Sequence, residues 1–209
     1  MRVLIVDDHP VVRRGVRELL HDEFPGAMFV ELDTGEAAVS KVEDETFDVA
    51  LLDLSMPGRG GLDALKEIHT RRPRLPVLVH SHHAEQQYAI RAIRAGARGY
   101  VTKDTAPEEF VRAVREVVAG RRYMTPALAA QIASAIASDP DKEPHDTLSD
   151  RELQVLRMMA LGKTVRDIAK ELGLSDKTIS TYRTRVLDKL ELRTTADMMR
   201  YAIKAKLVD

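Results

Sequence analysis

The sequence predicts an α/β fold, a doubly wound five-stranded parallel sheet, joined to a second, all-α domain. Three observations carry this. Short apolar runs of strand length alternate with amphipathic stretches as far as Gly120; beyond Gly120 the strand pattern stops; and a polar stretch with two prolines, residues 138–146, precedes a tail in which every apolar repeat is helical. Strands separated by helices at this spacing pair in parallel through right-handed crossovers.

The chain of 209 residues is 44% hydrophobic, enough for soluble cores in one or two domains. It has no Cys, which excludes a disulfide framework and thiolate chemistry. No apolar run reaches membrane-spanning length, and acidic residues follow residues 1–6 too early for a signal peptide. A cytoplasmic protein without a membrane partner is therefore expected. The net charge of −1 is unevenly spread, with +4 on residues 147–209 and −5 on residues 1–146. An acidic front suits a cation and a basic back suits a polyanion, although two solvated surfaces of unlike charge would look the same.

Residues 3–6 form the first strand. After Asp7-Asp8-His9, Pro10 suits the first turn of a helix over 11–20, apolar at 11, 12, 16, 19 and 20. Pro25-Gly26 breaks the chain before a strand at 28–32, and Thr34-Gly35 precedes a helix at 36–42. The apolar run that ends in Asp53 reads as a strand buried on both faces, with that carboxylate at its carboxyl end. The loop beyond holds Pro57, Gly58, Gly60 and Gly61, so backbone can come close and leave Asp53 accessible. A helix at 62–70 stops before Pro73, and the fourth strand is 76–80. A helix at 84–95 ends at Gly96, the fifth strand is 98–101, and a helix at 108–119 ends at Gly120.

The residues just past each strand share one edge of such a sheet, where open α/β folds bind ligands. They are Asp7 and Asp8, Asp53, Ser81 and Lys103. Three carboxylates gathered there repel one another and call for a cation, and hard oxygen ligands with room for water suit Mg²⁺. A lone ammonium and a hydroxyl are what phosphoryl oxygens need opposite that metal. Together they make a phosphoryl-transfer site with Asp53 as nucleophile. Singly each has a plainer role, as helix cap, turn residue or solvated lysine. Jointly they favour the site.

The set Asp7-Asp8, Asp53 with Met56-Pro57-Gly58, Ser81, Tyr100 and Lys103 resembles the receiver domain of two-component response regulators, over about residues 1–122. The resemblance implies a flavodoxin-like sheet of order 2-1-3-4-5 and phosphorylation of Asp53 by a sensor histidine kinase. It implies Mg²⁺ held by Asp8, Asp53 and the backbone carbonyl of Ser55, with Asp7 in support. Lys103 and Ser81 would contact the phosphoryl oxygens. Ser81 and Tyr100 would be the switch, the hydroxyl moving towards phosphate and the ring turning inward to remodel the face of the fourth helix, fifth strand and fifth helix. Such a receiver is no enzyme beyond its own phosphoryl transfer and autodephosphorylation.

His80-Ser81-His82-His83 sets three imidazoles around Ser81, as a transition-metal site or a pH sensor would. No Cys joins them, which favours ordinary strand-end histidines. His80 departs from the family's apolar residue. His83 and Ser55 resemble positions that set how fast water hydrolyses the aspartyl phosphate.

Residues 123–146 read as a helix and flexible linker. Thr125 caps and Pro126 begins a helix over 127–137 with Leu128, Ile132 and Ile136 on one stripe. Residues 147–209 form the all-α domain. Ser149-Asp150-Arg151-Glu152 is a capping box, Gly162 stops that helix, and Thr164 opens a short one with Ile168, Ala169 and Leu172. Gly173 turns the chain, Ser175 caps a helix over 176–190, and Thr195 caps a fourth through about 205. Two helices joined by a tight glycine turn are a helix-turn-helix. In the third helix Ile179, Val186, Leu187 and Leu190 face the core, while Thr178, Ser180, Thr181 and Thr184 with Lys177, Arg183, Arg185 and Lys189 offer hydroxyls and cations. In a major groove these read base edges and grip phosphates; a solvated basic helix would look alike.

The words Leu148-Ser149-Asp150-Arg151-Glu152-Leu153-Gln154-Val155-Leu156, Asp167-Ile168-Ala169-Lys170-Glu171-Leu172 and Ser175-Asp176-Lys177-Thr178-Ile179 resemble the LuxR-type helix-turn-helix of NarL/FixJ response regulators. The resemblance implies base contacts at Ser180, Thr181 and Thr184, and binding to paired half-sites on double-stranded DNA as a homodimer formed on phosphorylation. Arg183 departs from the commoner apolar residue at its position. The expected function is a phosphorylation-controlled transcription factor. Two other classes compete. An aspartyl-phosphate hydrolase of the haloacid dehalogenase type wants a second Asp where Ser55 stands, and a constitutive DNA-binding protein would not need the acidic set.

Overall fold

The computed structural model describes residues 1–56, 60–81, 86–126, 128–130, 144–205 and 207–208, with 86, 87, 146 and 150 described by backbone alone. Contacts divide the chain into two units, Met1–Ser138 and Asp139–Asp209.

In the first unit β1 (Arg2–Val6) and β3 (Val49–Leu52) lie inside the sheet, and all but one of their residues are buried. β2 (Met28–Leu32) and β5 (Gly99–Thr102) form its edges, and β4 (Val77–Ser81) completes the order β2-β1-β3-β4-β5, all parallel. Successive residues point to opposite faces. Leu4, Val6, Ala50 and Leu52 pack with α2 (Gly35–Asp44), α3 (Gly61–Arg71) and α4 (Gln86–Arg94). Val3, Ile5, Val49 and Leu51 pack with α1 (Pro10–Glu23) and α5 (Pro107–Val118). The expected doubly wound sheet is present, with β2 bounded as read in the sequence and the other element ends within three residues of those read there.

The loop after β3 turns back tightly. A Cβ on Gly61 would stand 2.0 Å from the Asp53 carbonyl oxygen and 2.5 Å from Leu54 Cα, so only glycine fits. Residues 57–59 of that loop, and with them Pro57 and Gly58, lie outside the described residues. So do His82, His83 and most of the helix expected over 127–137.

The chain after α5 adds to this unit. Tyr123 bridges Gly99 in parallel, its amide donating to Arg98 O at 3.0 Å and its carbonyl accepting from Tyr100 N at 3.2 Å. Residues 126 and 128–130 are helical, and Leu128 is buried in the core cluster.

The second unit opens with a 3-10 turn, Pro144–Thr147, and holds α6 (Asp150–Ala160), α7 (Val165–Leu172), α8 (Asp176–Lys189) and α9 (Thr195–Lys204). Leu153, Leu156, Ile168, Ile179, Val186 and Met198 are buried to form its core. The Ser149 capping box is present, Thr164 makes a second with Asp167, and Gly173 ends α7 in the left-handed conformation. The last cap is Thr194 rather than the Thr195 read from the sequence. Thr194 has Asp197 three residues on to complete a reciprocal box; Thr195 has Met198 there, which cannot.

Candidate functional site

Parallel strands bring the predicted strand-end residues to one edge. Asp53 N donates to Val6 O at 2.9 Å, and Lys103 N donates to Ser81 O at 2.9 Å, which locks neighbouring strand ends in register. Asp7, Asp53 and Ser81 are buried. Lys103 Nζ lies 2.6 Å from Asp7 Oδ2 and 2.7 Å from Asp53 Oδ2, so one ammonium bridges two carboxylates. Asp53 Oδ1 accepts from the Ser55 amide at 3.0 Å. Both oxygens of Asp53 thus point into a fixed set of donors.

Two groups join this site that sequence reasoning did not assign. His9 donates its backbone amide to Asp7 Oδ1 at 2.8 Å and places Nδ1 2.9 Å from Asp8 Oδ1 and 3.2 Å from Asp7 Oδ1. Arg13 Nη1 donates to Asp7 O at 2.5 Å. The available signal was position alone: His9 directly follows the acidic pair, and Arg13 stands one turn along α1.

Ligand atoms of Asp7, Asp8, His9 and Asp53 all lie within 4.8 Å of one another. Asp8 Oδ1 is shut off from solvent without a hydrogen bond, although His9 Nδ1 stands 2.9 Å away. An orphaned carboxylate oxygen beside two further carboxylates is a hard, oxygen-rich donor set, and it fits a hydrated dication.

Tyr100 is buried on β5, beside Ser81 on the neighbouring strand. Burial pushes its phenol well above the ordinary value; a hydrogen bond with the Ser81 side chain works the other way, and the Asp53 charge adds to the rise. The phenol therefore stays protonated and holds Ser81 from inside the sheet. His80 projects to the opposite face, its ring 4.8 Å from that of Phe110.

In the second unit, Lys177, Ser180, Thr181, Thr184 and Arg185 are exposed on α8, and Thr178 and Arg183 are half-buried. The Ser180, Thr181 and Thr184 hydroxyls donate to the carbonyls of Asp176, Lys177 and Ser180 at 2.8, 2.9 and 3.1 Å. Thr178 Oγ1 contacts Ser175 Oγ at 2.8 Å, and Arg183 Nε donates to Thr195 Oγ1 at 3.1 Å. Lys189 is committed within the fold: its Nζ donates to Glu152 Oε2 at 2.6 Å and to Thr147 O at 3.2 Å. Burial works against the Glu152 charge, but Lys189 and the Ser149 amide and hydroxyl outweigh it and hold that carboxyl below its ordinary value.

Comparison with known proteins bears on both units. The family described as response regulator receiver domain matches residues 3–115, and bacterial regulatory proteins of the luxR family match residues 146–202. The chain is 37% identical over 205 residues to response regulator UvrY of Escherichia coli K12, covering 98% of this chain and 94% of that one. It is 36% identical over 210 residues to response regulator GacA of Pseudomonas aeruginosa, covering 100% and 98%. Among solved structures, a LuxR-family two-component response regulator from Aurantimonas is 36% identical with a TM-score of 0.59, over 66% of this chain and 98% of that one. RcsB from Salmonella enterica serovar Typhimurium, bound to promoter DNA in the presence of phosphomimetic BeF3−, is 27% identical with a TM-score of 0.59, over 96% and 97%.

Proposed function

This chain belongs to the NarL/FixJ family of two-component response regulators, receivers joined to a LuxR-type DNA-binding domain that regulate transcription, and from that premise we propose that Asp53 is the phosphoacceptor that sets its output. The observation that carries this is the bridge from Lys103 to Asp7 and Asp53. A buried carboxylate nucleophile held by an ammonium is charged, oriented and shielded from bulk water.

The donor is a phosphohistidine of a sensor histidine kinase. A carboxylate oxygen of Asp53 attacks phosphorus, the phosphorus–nitrogen bond breaks, and the leaving imidazole keeps the electron pair. Lys103 turns from the carboxylates to a phosphoryl oxygen, and the Ser81 hydroxyl donates to another. Asp7, Asp8, Asp53 and the Ser55 carbonyl would hold Mg²⁺, which when bound offsets the negative charge of the transferring group. Ser81 and Tyr100 share a hydrogen bond, so movement of the hydroxyl carries the ring with it. This self-modification and its hydrolysis are the receiver's whole chemistry.

The output is homodimerisation and binding of double-stranded DNA in the cytoplasm. No helix among the described residues is long and apolar enough to cross a membrane. Lys177, Arg183 and Arg185 supply phosphate contacts and Thr178, Ser180, Thr181 and Thr184 face base edges, with Lys189 at the far end of the same helix.

Sedimentation and binding to promoter fragments, with and without beryllofluoride and Mg²⁺, test the reading on wild type and Asp53→Asn. Wild type alone is expected to dimerise and tighten on DNA. If neither protein responds, the receiver is silent and Asp53 is not the switch.

A further inference from the structure

A cavity of about 420 Å³ opens where the chain enters β3 and where it passes from α3 to β4. These are the amino ends of the strands, the sheet edge opposite Asp53. Phe47, Leu75 and Pro73 line it, and the first two are half-buried against the core. The floor is therefore apolar and anchored.

Most charged groups around it are committed. Arg72 donates Nε to Val42 O and Nη2 to Glu43 O, each at 2.7 Å, which satisfies the carboxyl end of α2. Arg71 pairs with Glu43. Glu45 meets Arg2 at 2.5 Å and Lys41 at 2.6 Å, so its charge is already answered. Arg74 differs. It lines the cavity, is exposed, and among the described residues its guanidinium has no hydrogen bond or ion pair.

An apolar floor under one uncommitted guanidinium complements an amphipathic anion rather than a neutral or cationic ligand. A planar fork of donors matches a carboxylate in two-point geometry, and a ring packs well against Phe47 and Leu75. A cavity of this size holds a small organic molecule. We propose that it is a second ligand site, for a small aromatic carboxylate bound through Arg74.

The test is a nuclear magnetic resonance titration of the ¹⁵N-labelled full chain with 2-naphthoate, and with 2-naphthol as its uncharged counterpart. Saturable amide shifts are expected at Thr46, Phe47, Arg74 and Leu75. Arg74→Gln should weaken 2-naphthoate by about tenfold, the worth of one charge-assisted contact, and leave 2-naphthol unchanged. Arg74→Lys should restore part of the loss. Because Arg74 is exposed, these variants leave the core intact. Shifts confined to other regions, no shifts, or an unchanged dissociation constant in Arg74→Gln overturn the site. Equal binding of hexanoate overturns its aromatic preference.

Discussion

Lys103 and Asp53 meet at 2.7 Å, with side chains 5% and 0% exposed, and the same ammonium reaches Asp7 at 2.6 Å. Two carboxylates are buried against one cation, which leaves the pocket one negative charge in excess before Asp8 is counted. That imbalance is what a dication or a phosphoryl group's partners would exploit.

Lys103→Met should therefore destabilise the receiver by about 3 kcal/mol, because it leaves Asp7 and Asp53 buried without their counter-charge. Denaturant unfolding without divalent ions measures the loss. Saturating Mg²⁺ should shrink the difference between variant and wild type; a difference indifferent to Mg²⁺ would argue against a cation among these carboxylates.

Gly61→Ala is expected to cost about 3 kcal/mol, since the added Cβ meets Asp53 backbone and not a flexible side chain. The contrasting change is Gly15→Ala, whose Cβ meets nothing within 4 Å. It should be neutral or stabilising on thermal unfolding, as alanine replaces glycine in a helix interior.

Glu152 gives the DNA-binding unit an acid dependence. Its folded value lies below the ordinary 4.5. Its stabilisation is thus fully present above about pH 4.5, and is lost as pH falls through the lowered folded value. Lys189→Ala should cost about 1–2 kcal/mol at neutral pH and flatten stability against pH in that acid window. An unchanged slope would mean that the Lys189 contact does not hold the carboxylate.

On α8 the exposed cations and the committed one should behave differently in DNA binding. Lys177→Ala and Arg185→Ala should each weaken all sequences alike and lower the slope of log affinity against log salt by about 1. Ser180→Ala and Thr184→Ala should leave that slope intact and change base preference, at little cost in stability because their hydroxyls bond only their own helix. Lys189→Ala should leave the salt slope nearly unchanged, and a full unit of loss would place Lys189 at phosphate rather than at Glu152.

Much of this was legible in the residues because it is local. Apolar runs ending in Asp7, Asp53 and Lys103, and Ser149 followed by Glu152, state their element and their end within a few positions. A helix cap is satisfied three residues away, and a strand's burial shows in its own alternation. Parallel pairing then forces the strand-end residues to one edge. Thr195 was misread for the same local reason: two adjacent threonines look alike until the acceptor at Asp197 chooses between them.

What only tertiary structure decided is which groups meet over long separations. Nothing near Lys189 in sequence announces Glu152, 37 residues away, and nothing in residues 121–124 announces the bridge from Tyr123 to Gly99. The inward Tyr100, the orphaned Asp8 oxygen and the uncommitted Arg74 depend likewise on which donors and acceptors packing leaves in reach. Residue types and periodicity set what each segment must bury. Only the folded chain settles which side chains are consumed in holding it together and which, like the Asp8 carboxylate, remain for chemistry.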